Sequence, residues 1–329
     1  MPESFAEVLA RAQALVRDEM QAVDRCIVES LASDVEMIPT IGRYIIEAGG
    51  KRMRPLLLLL AARAAGGADP KRAVPLAVAI EFIHTASLLH DDVVDMAEMR
   101  RGAPSANGVW GNEASVLVGD FLFSRAFELL VADGDAKVLA RMARATNLLA
   151  EGEVMELAHA FDAEMDEARA MEVIRRKTAV LFEAAGALGA LAAGRAELAD
   201  RLAEYGLWLG VAFQLVDDAL DYAASADALG KPAAHDLGEG RITMPLIFAM
   251  QQDAELGERV RAIAARGGYA DEDERAWVCA RVQSAEGVKR TLDRAREAAR
   301  RAVEALPEIP AEAGALLVAL AERSVERRF

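Results

Sequence analysis

Asp91-Asp92-Val93-Val94-Asp95 and Asp217-Asp218-Ala219-Leu220-Asp221 are two copies of one acidic pattern, each closing a long, mainly apolar, helix-forming stretch. Carboxylates at i and i+4 project from one helical face. Three such charges within about a turn repel one another, and near a helix C-terminus they oppose the macrodipole, so the pattern calls for a positive guest. Oxygen-only donors without a cysteine or imidazole cluster favour Mg²⁺, which commonly binds through one or two carboxylates plus the oxygens of a substrate phosphate. Asp91, Asp92, Asp95, Asp217, Asp218 and Asp221 are therefore the candidate metal ligands, with a metal-bridged diphosphate between them. One box alone reads better as a solvated helix face, by about two to one. Both, however, close unusually apolar segments, Ile80 to Leu89 and Leu207 to Val216, where a solvated face would alternate with charge.

Cations cluster near these boxes. Lys51, Arg52 and Arg54 follow a glycine break, Arg100 and Arg101 follow the first box, and Lys177 ends the run Arg175-Arg176-Lys177. Arginine forks bind phosphate oxygens bidentately and lysine adds a compact charge, so converging cations could hold a second diphosphate without metal. Each cluster taken singly is equally a solvated turn or the complement of a helix terminus.

The elements that must position these groups are helical almost throughout. Phe5, Val8, Ala12, Leu15, Val16, Met20, Val23, Ile27 and Leu31 follow three-and-four spacing, which predicts one long first helix. Further helices are expected around Met37 to Ala48, Arg54 to Ala65 and Pro70 to Asp95, the last capped by Asp69. Arg100 to Gly111 reads as a loop. Helices around 112 to 131, 135 to 160 and 195 to 224 follow, then a polar loop from Ser225 to Gly240 and more helix. No period-2 segment persists and no Pro/Ser-rich linker divides the chain, so the expectation is all-α, a single large helical-bundle domain.

With 329 residues the chain can bury a sizeable core. Its 53 acidic against 38 basic residues give a net charge of -15, which argues against nucleic acid. Cys26 and Cys279 are too few for a disulfide scaffold and fit a cytoplasmic setting. The N-terminus lacks the charged-then-apolar order of a signal peptide. The runs Leu56 to Ala62 and Thr178 to Gly194 are too short or interrupted by Glu183 for a membrane span, so membrane contact is at most peripheral.

Taken together, these residues resemble the trans-isoprenyl diphosphate synthases, also called polyprenyl synthetases. The likeness covers nearly the whole chain. It rests on Gly49-Gly50-Lys51-Arg52-Met53-Arg54-Pro55, Glu81-Phe82-Ile83-His84-Thr85-Ala86-Ser87-Leu88-Leu89-His90, Arg100-Arg101-Gly102, Lys177-Thr178, and Gln214 ahead of the second box. The resemblance implies one polyprenyl synthase domain over 1–329 with a central cavity between two Asp-rich helices, usually in a homodimer. It also implies sequential addition of isopentenyl diphosphate to an allylic diphosphate such as farnesyl diphosphate.

In that chemistry the allylic carbon-oxygen bond breaks to a delocalised cation and pyrophosphate. Metal held by Asp91, Asp95 and Asp217, with Asp92, Asp218 and Asp221 in support, would neutralise the charge on the leaving group. By resemblance, Lys177, Thr178, Gln214 and Lys231 would hold the allylic diphosphate and line the cation's path, joined by Arg100 and, in a second tier, Arg241. Lys51, Arg54, His84 and Arg101 would bind isopentenyl diphosphate. Loss of a proton to pyrophosphate then gives a product five carbons longer.

Ala86 and Ser87 stand five and four residues before the first aspartate, where short-product members of the family resemble one another in carrying an aromatic ring. A tunnel open past them predicts an octaprenyl to decaprenyl product, the kind used as a quinone side chain, with a farnesyl or geranylgeranyl synthase as the alternative. Leu129 and Leu130, on the next helix, are candidates for the tunnel floor, with ordinary core packing favoured over that role by about two to one. Two departures from the family pattern stand out: Ala234-His235-Asp236 where Gly-Asp-Asp is common, and Arg241 where lysine is common. A rival from another class is a ferritin-like di-iron bundle, built on Glu81-x-x-His84 and Glu156-x-x-His159. It leaves both aspartate boxes without a task. A non-catalytic partner subunit or a class I terpene cyclase would be expected to lack a complete pair of boxes.

Overall fold

The computed structural model describes residues 3–47, 50–100, 102–223, 233–309 and 311–327. The architecture is all-α. The N-terminal apolar stripe forms α1 (Phe5–Leu15) and α2 (Arg17–Ser30) instead of one continuous helix. A reciprocal cap opens α1: the Ser4 side chain accepts from the Glu7 backbone N–H, and the Glu7 carboxylate accepts from that of Ser4. The break falls at Val16, φ −119°, a β-branched residue of modest helix preference. It lets α1 lie against the C-terminal helix 311–324 while α2 lies against the buried helix 70–94.

After α3 (Met37–Glu47) and α4 (Met53–Ala64) comes α5 (Pro70–Val94), opened by an Asp69 carboxylate that accepts the Lys71 N–H at 2.9 Å. This helix is apolar on every side because it is the core: Leu76, Ile80, Phe82, Ile83 and Leu89 are fully buried. Each contributes roughly 1.5–3 kcal/mol relative to exposure, as an upper estimate. Among the described residues α5 is the one helix long and apolar enough to cross a membrane, which the two short runs singled out from sequence did not flag. Its most apolar window is 72% buried inside the fold, as a core helix requires. The first box forms its last turn, with Asp95 as C-cap.

The segment read as a plain loop carries more order. Met99–Arg100 pairs antiparallel with Ala103–Pro104, and the short α6 (Ala106–Trp110) is capped by Ser105, whose Oγ accepts from Gly108 N–H at 3.2 Å and donates to the Ala97 carbonyl at 2.6 Å. Elements this short leave no periodicity to read. Next come α7 (Asn112–Asp133), α8 (Ala136–Ala158) and α9 (Glu167–Val173). A π-helical turn, Ile174–Ala179, then carries Lys177 and Thr178 directly into α10 (Val180–Ala192). Such turns are uncommon and concentrate at functional sites.

A 3₁₀ turn at Ala196–Leu198 precedes α11 (Ala199–Ala223), whose final turns hold the second box. Beyond it lie α12 (His235–Gly238), inside the expected loop, then α13 (Met244–Met250), α14 (Ala254–Arg266), α15 (Glu272–Ser284), α16 (Gly287–Ala305) and α17 (Ala311–Ser324). One apolar cluster surrounds α4, α5, α7 and α10, and a second fills the space between α11, α13 and α16.

The crossing of α10 and α11 is close enough to exclude a side chain. A Cβ at Gly206 would stand 2.1 Å from the Phe182 carbonyl oxygen, a backbone atom that cannot swing aside. Gly206→Ala therefore forces the helices apart. The expected cost is about 1–3 kcal/mol or more, read as a lower urea midpoint at unchanged m-value; an unchanged midpoint would show that the crossing yields freely.

Candidate active site

Both acidic boxes face one cavity of about 430 Å³. Asp91 and Asp95 reach it from α5, and Asp217, Asp218 and Asp221 from α11, with Arg100, Lys177, Thr178, Gln214 and Arg241 on its walls. Asp92 does not line it. That carboxylate is 1% exposed and both its oxygens accept from Arg100 Nε, at 2.7 and 2.8 Å. Asp92 therefore holds Arg100 at the cavity edge. Arg101 and Lys231 lie outside the described residues.

The carboxylates are confined where charge is costly. Burial pushes the Asp91 carboxyl up, Lys177 opposes this, and neighbouring Asp95 adds to it. Burial likewise raises Asp95 against the pull of Arg241, and raises Asp218 well above the ordinary range with Asp236 adding repulsion. Cations answer them at three points. The Lys177 ammonium bonds Glu153 at 2.7 Å and Glu156 more closely, and stands 3.9 Å from Asp91. Arg241 spans from Asp95 at 3.3 Å to Asp236 at 3.1 Å and also pairs with Glu239. Arg327, 3% exposed, reaches Asp217 at 3.1 Å. A polar relay joins the π turn to the second box: Thr178 Oγ1 donates to Gln214 Oε1 at 2.9 Å, and Gln214 Nε2 donates to Asp218 Oδ1 at 2.8 Å.

The donor set fits a hard cation, in a particular way. Among the described residues no three acidic or imidazole side chains converge on a single point as a ready-made ion cage. The carboxylates stand across a cavity, so an ion there would need further oxygens, which a diphosphate could supply. That is how Mg²⁺ is commonly bound, through a few carboxylates and substrate phosphate.

Behind this cavity lies a basic one of about 440 Å³. Lys51, Arg54 and His84 line it, beside Phe182, Phe213 and the shared Asp91, Lys177 and Gln214. The Arg54 guanidinium lies 4.7 Å from the Phe182 ring centroid. Arg52, from the same cluster, lines it too and donates to Glu81 at 3.1 Å. Arg175 stacks on Trp208 and Arg176 pairs with Glu151 and Glu172, so of that cluster Lys177 alone lines a cavity. Arg327 was not singled out from sequence. Its guanidinium lies 3.6 Å from the Phe213 ring centroid and donates to the Phe213 carbonyl at 2.6 Å, a pairing of distant segments with no local signature.

A third cavity, about 630 Å³ and mainly apolar, is lined by Ile83, Ala86, Ser87, Phe123, Leu149 and Val154, among others. The two small residues thus form part of its wall. Leu129 and Leu130 do not: Leu130 is core at 1% exposure and Leu129 packs against that core. Asp91 and Lys177 border all three cavities. The two Glu-x-x-His pairs do not converge: Glu81 and His84 line the basic cavity, Glu156 and His159 the acidic one. A di-iron centre needs both pairs on one point.

Comparison with known proteins agrees with this geometry. The polyprenyl synthetase family pattern matches residues 35–280. The chain is 45% identical to octaprenyl diphosphate synthase from Haemophilus influenzae, over 96% of each. A polyprenyl synthase from Caulobacter crescentus, solved with calcium and isoprenyl diphosphate, superposes with TM-score 0.91 at 42% identity over 98% of each chain. A decaprenyl diphosphate synthase from Rhodobacter capsulatus does so with TM-score 0.90 at 38% identity, covering 97% of this chain and 98% of that one. The chain belongs to the polyprenyl synthetase family and is a prenyltransferase. Its similarity to octaprenyl and decaprenyl synthases favours the long-chain expectation over a shorter-chain one.

Both departures from the family pattern fall in the segment after the second box, the first at a backbone position that favours glycine and the second in an ion-pair network. Ala234 adopts the left-handed backbone, φ 55°, that glycine takes without strain. Arg241 closes a network with Asp95, Asp236 and Glu239 that a single ammonium could not span as a fork. Burial opposes ionisation of Glu239, but hydrogen bonds from His235 and the charge of Arg241 outweigh it and push its carboxyl down to about 2. A carboxyl depressed in the folded state stabilises above its ordinary value of 4.5 and loses that contribution as pH falls towards 2. The stability gap between the unsubstituted chain and Glu239→Gln should therefore narrow across urea midpoints at about pH 5, 4 and 3; a pH-independent gap would contradict the pairing.

Proposed function

We propose that this chain is a long-chain trans-polyprenyl diphosphate synthase, one domain over 1–329, that uses Mg²⁺ to condense isopentenyl diphosphate repeatedly with an allylic diphosphate and makes an octaprenyl to decaprenyl product. The observation that carries it is the sharing of Asp91 and Lys177 by an acidic, a basic and an apolar cavity. Asp91, Asp95 and Asp217 hold the metal, with Asp218 and Asp221 beside them and Asp92 steadying Arg100. Bound Mg²⁺ supplies charge neutralisation of the departing diphosphate. Lys177, Thr178, Gln214, Arg100 and Arg241 orient the allylic diphosphate, and Lys231 joins them by resemblance. Lys51, Arg54 and His84 hold isopentenyl diphosphate, with Arg101 by resemblance, so that its double bond faces the allylic carbon. The growing hydrocarbon enters the apolar cavity past Ala86 and Ser87, each buried methylene adding on the order of 0.8 kcal/mol.

The enzyme acts as a homodimer in the cytoplasm, with peripheral membrane contact at product release for a quinone side-chain pathway. Exposed apolar side chains on α7, among them Val116, Leu117, Phe123 and Val131, support a subunit interface, and the free thiols Cys26 and Cys279 agree with a reducing compartment.

Purified protein incubated with Mg²⁺, farnesyl diphosphate and labelled isopentenyl diphosphate should yield products of eight to ten isoprene units, by chromatography after dephosphorylation. Chelation of the metal should abolish turnover, and Asp91→Asn should lower kcat by about a hundredfold or more. No incorporation in the presence of Mg²⁺ would refute the function. Ala86→Phe sets a ring in the wall of the apolar cavity and should shorten the products; unchanged chain length would refute the proposed route.

A further inference from the structure

The ammonium of Lys177 sits among more carboxylate than its charge requires. Asp91 is already beside it at 3.9 Å, yet α8 adds Glu153 and Glu156, which no step above employs. Acid beside the path of a diphosphate repels that substrate, so their presence there has a cost that some other role must offset. We propose that Glu153 and Glu156, with Gly152 beneath them, form a cradle that aims Lys177 at the allylic diphosphate; this rests on the site assigned above.

An ammonium has three donors. Glu153 and Glu156 take two of them, while the distance to Asp91 is too long for a hydrogen bond. The third donor stays available beside Asp91, where the acidic and basic cavities meet. Spaced i and i+3, the two glutamates share a face of α8 and grip the ammonium from one side. A free lysine would sample many rotamers, whereas this one is fixed before substrate arrives.

The backbone is arranged to the same end. A Cβ at Gly152 would lie 2.7 Å from the Lys177 backbone nitrogen and 3.0 Å from the Arg176 carbonyl carbon, so α8 approaches the π turn this closely only because residue 152 has no side chain. Glu153 and Glu156 are thus positioning residues, acting through Lys177.

The test is steady-state kinetics with each substrate varied, for Lys177→Ala, Gly152→Ala, the double variants Glu153→Ala/Glu156→Ala and Glu153→Gln/Glu156→Gln, and the unsubstituted enzyme. Lys177→Ala should raise the allylic KM by about tenfold or more. The double alanine variant should approach that value with the isopentenyl diphosphate KM within about twofold, and glutamine, which keeps an acceptor, should restore part of the loss. Gly152→Ala should shift the allylic KM in the same sense. If Lys177→Ala raises the allylic KM and the double variants do not, the cradle is refuted and the site stands. Equal rises in both KM values would mean a merely structural role and also refute the cradle. If Lys177→Ala leaves the allylic KM unchanged, the site assignment itself fails. Should the alanine double variant not fold, the glutamine pair and Gly152→Ala decide the matter.

Discussion

Repulsion between carboxylates gathered at the ends of two buried helices is the constraint on which this structure depends. α5 and α11 bring their C-terminal turns, already the negative ends of their dipoles, to opposite sides of one cavity. Left alone, that meeting of like charges would push the helices apart or protonate the aspartates. The fold answers with cations from far along the chain: Lys177 from the π turn, Arg241 after the second box and Arg327 near the end. Each makes contact with a different aspartate, so the compensation is spread around the cavity and no single cation fills it. A site balanced in this way tolerates its clustered carboxylates while remaining folded.

Apolar packing sets where those charges meet. The contact at Gly206 fixes α11 against α10, and α10 continues directly from the turn that bears Lys177 and Thr178. The relay from Thr178 through Gln214 to Asp218 therefore links two elements whose spacing is already set by backbone contact. Hydrogen bonds of this kind are modest in net energy but specific in direction. The packing supplies the distance and the polar groups supply the alignment.

Most of the helices and both boxes were legible in the sequence because their signals are local. Periodic apolar residues, Asp69 ahead of Pro70, and carboxylates at i and i+4 each lie within a few turns of one segment. Val16 was not legible as a break, since the apolar stripe runs through it unchanged and only the separate partners of α1 and α2 require the bend. Arg327 against Asp217 and Glu153 against Lys177 were equally hidden, because they pair residues far apart in the chain. The family resemblance carried Lys51, Arg54 and His84 to one place that spacing alone left ambiguous. Leu129 and Leu130 take the core packing that their apolar spacing favoured over a place at the cavity floor.

The common border at Asp91 and Lys177 bears on how a polymer is built one unit at a time. A catalyst that had to release and recapture each intermediate would lose material to dilution at every cycle, and ever more of it to aggregation as the tail lengthened. On the function proposed above, the acidic, basic and apolar cavities would serve headgroup, incoming monomer and tail, and all three touch at the same two side chains. On that assignment a newly lengthened molecule would need only to slide its phosphates from the basic chamber to the acidic one while its greasy end stays housed. Processivity, on this plan, comes from adjacency of rooms rather than from tight grip in any of them.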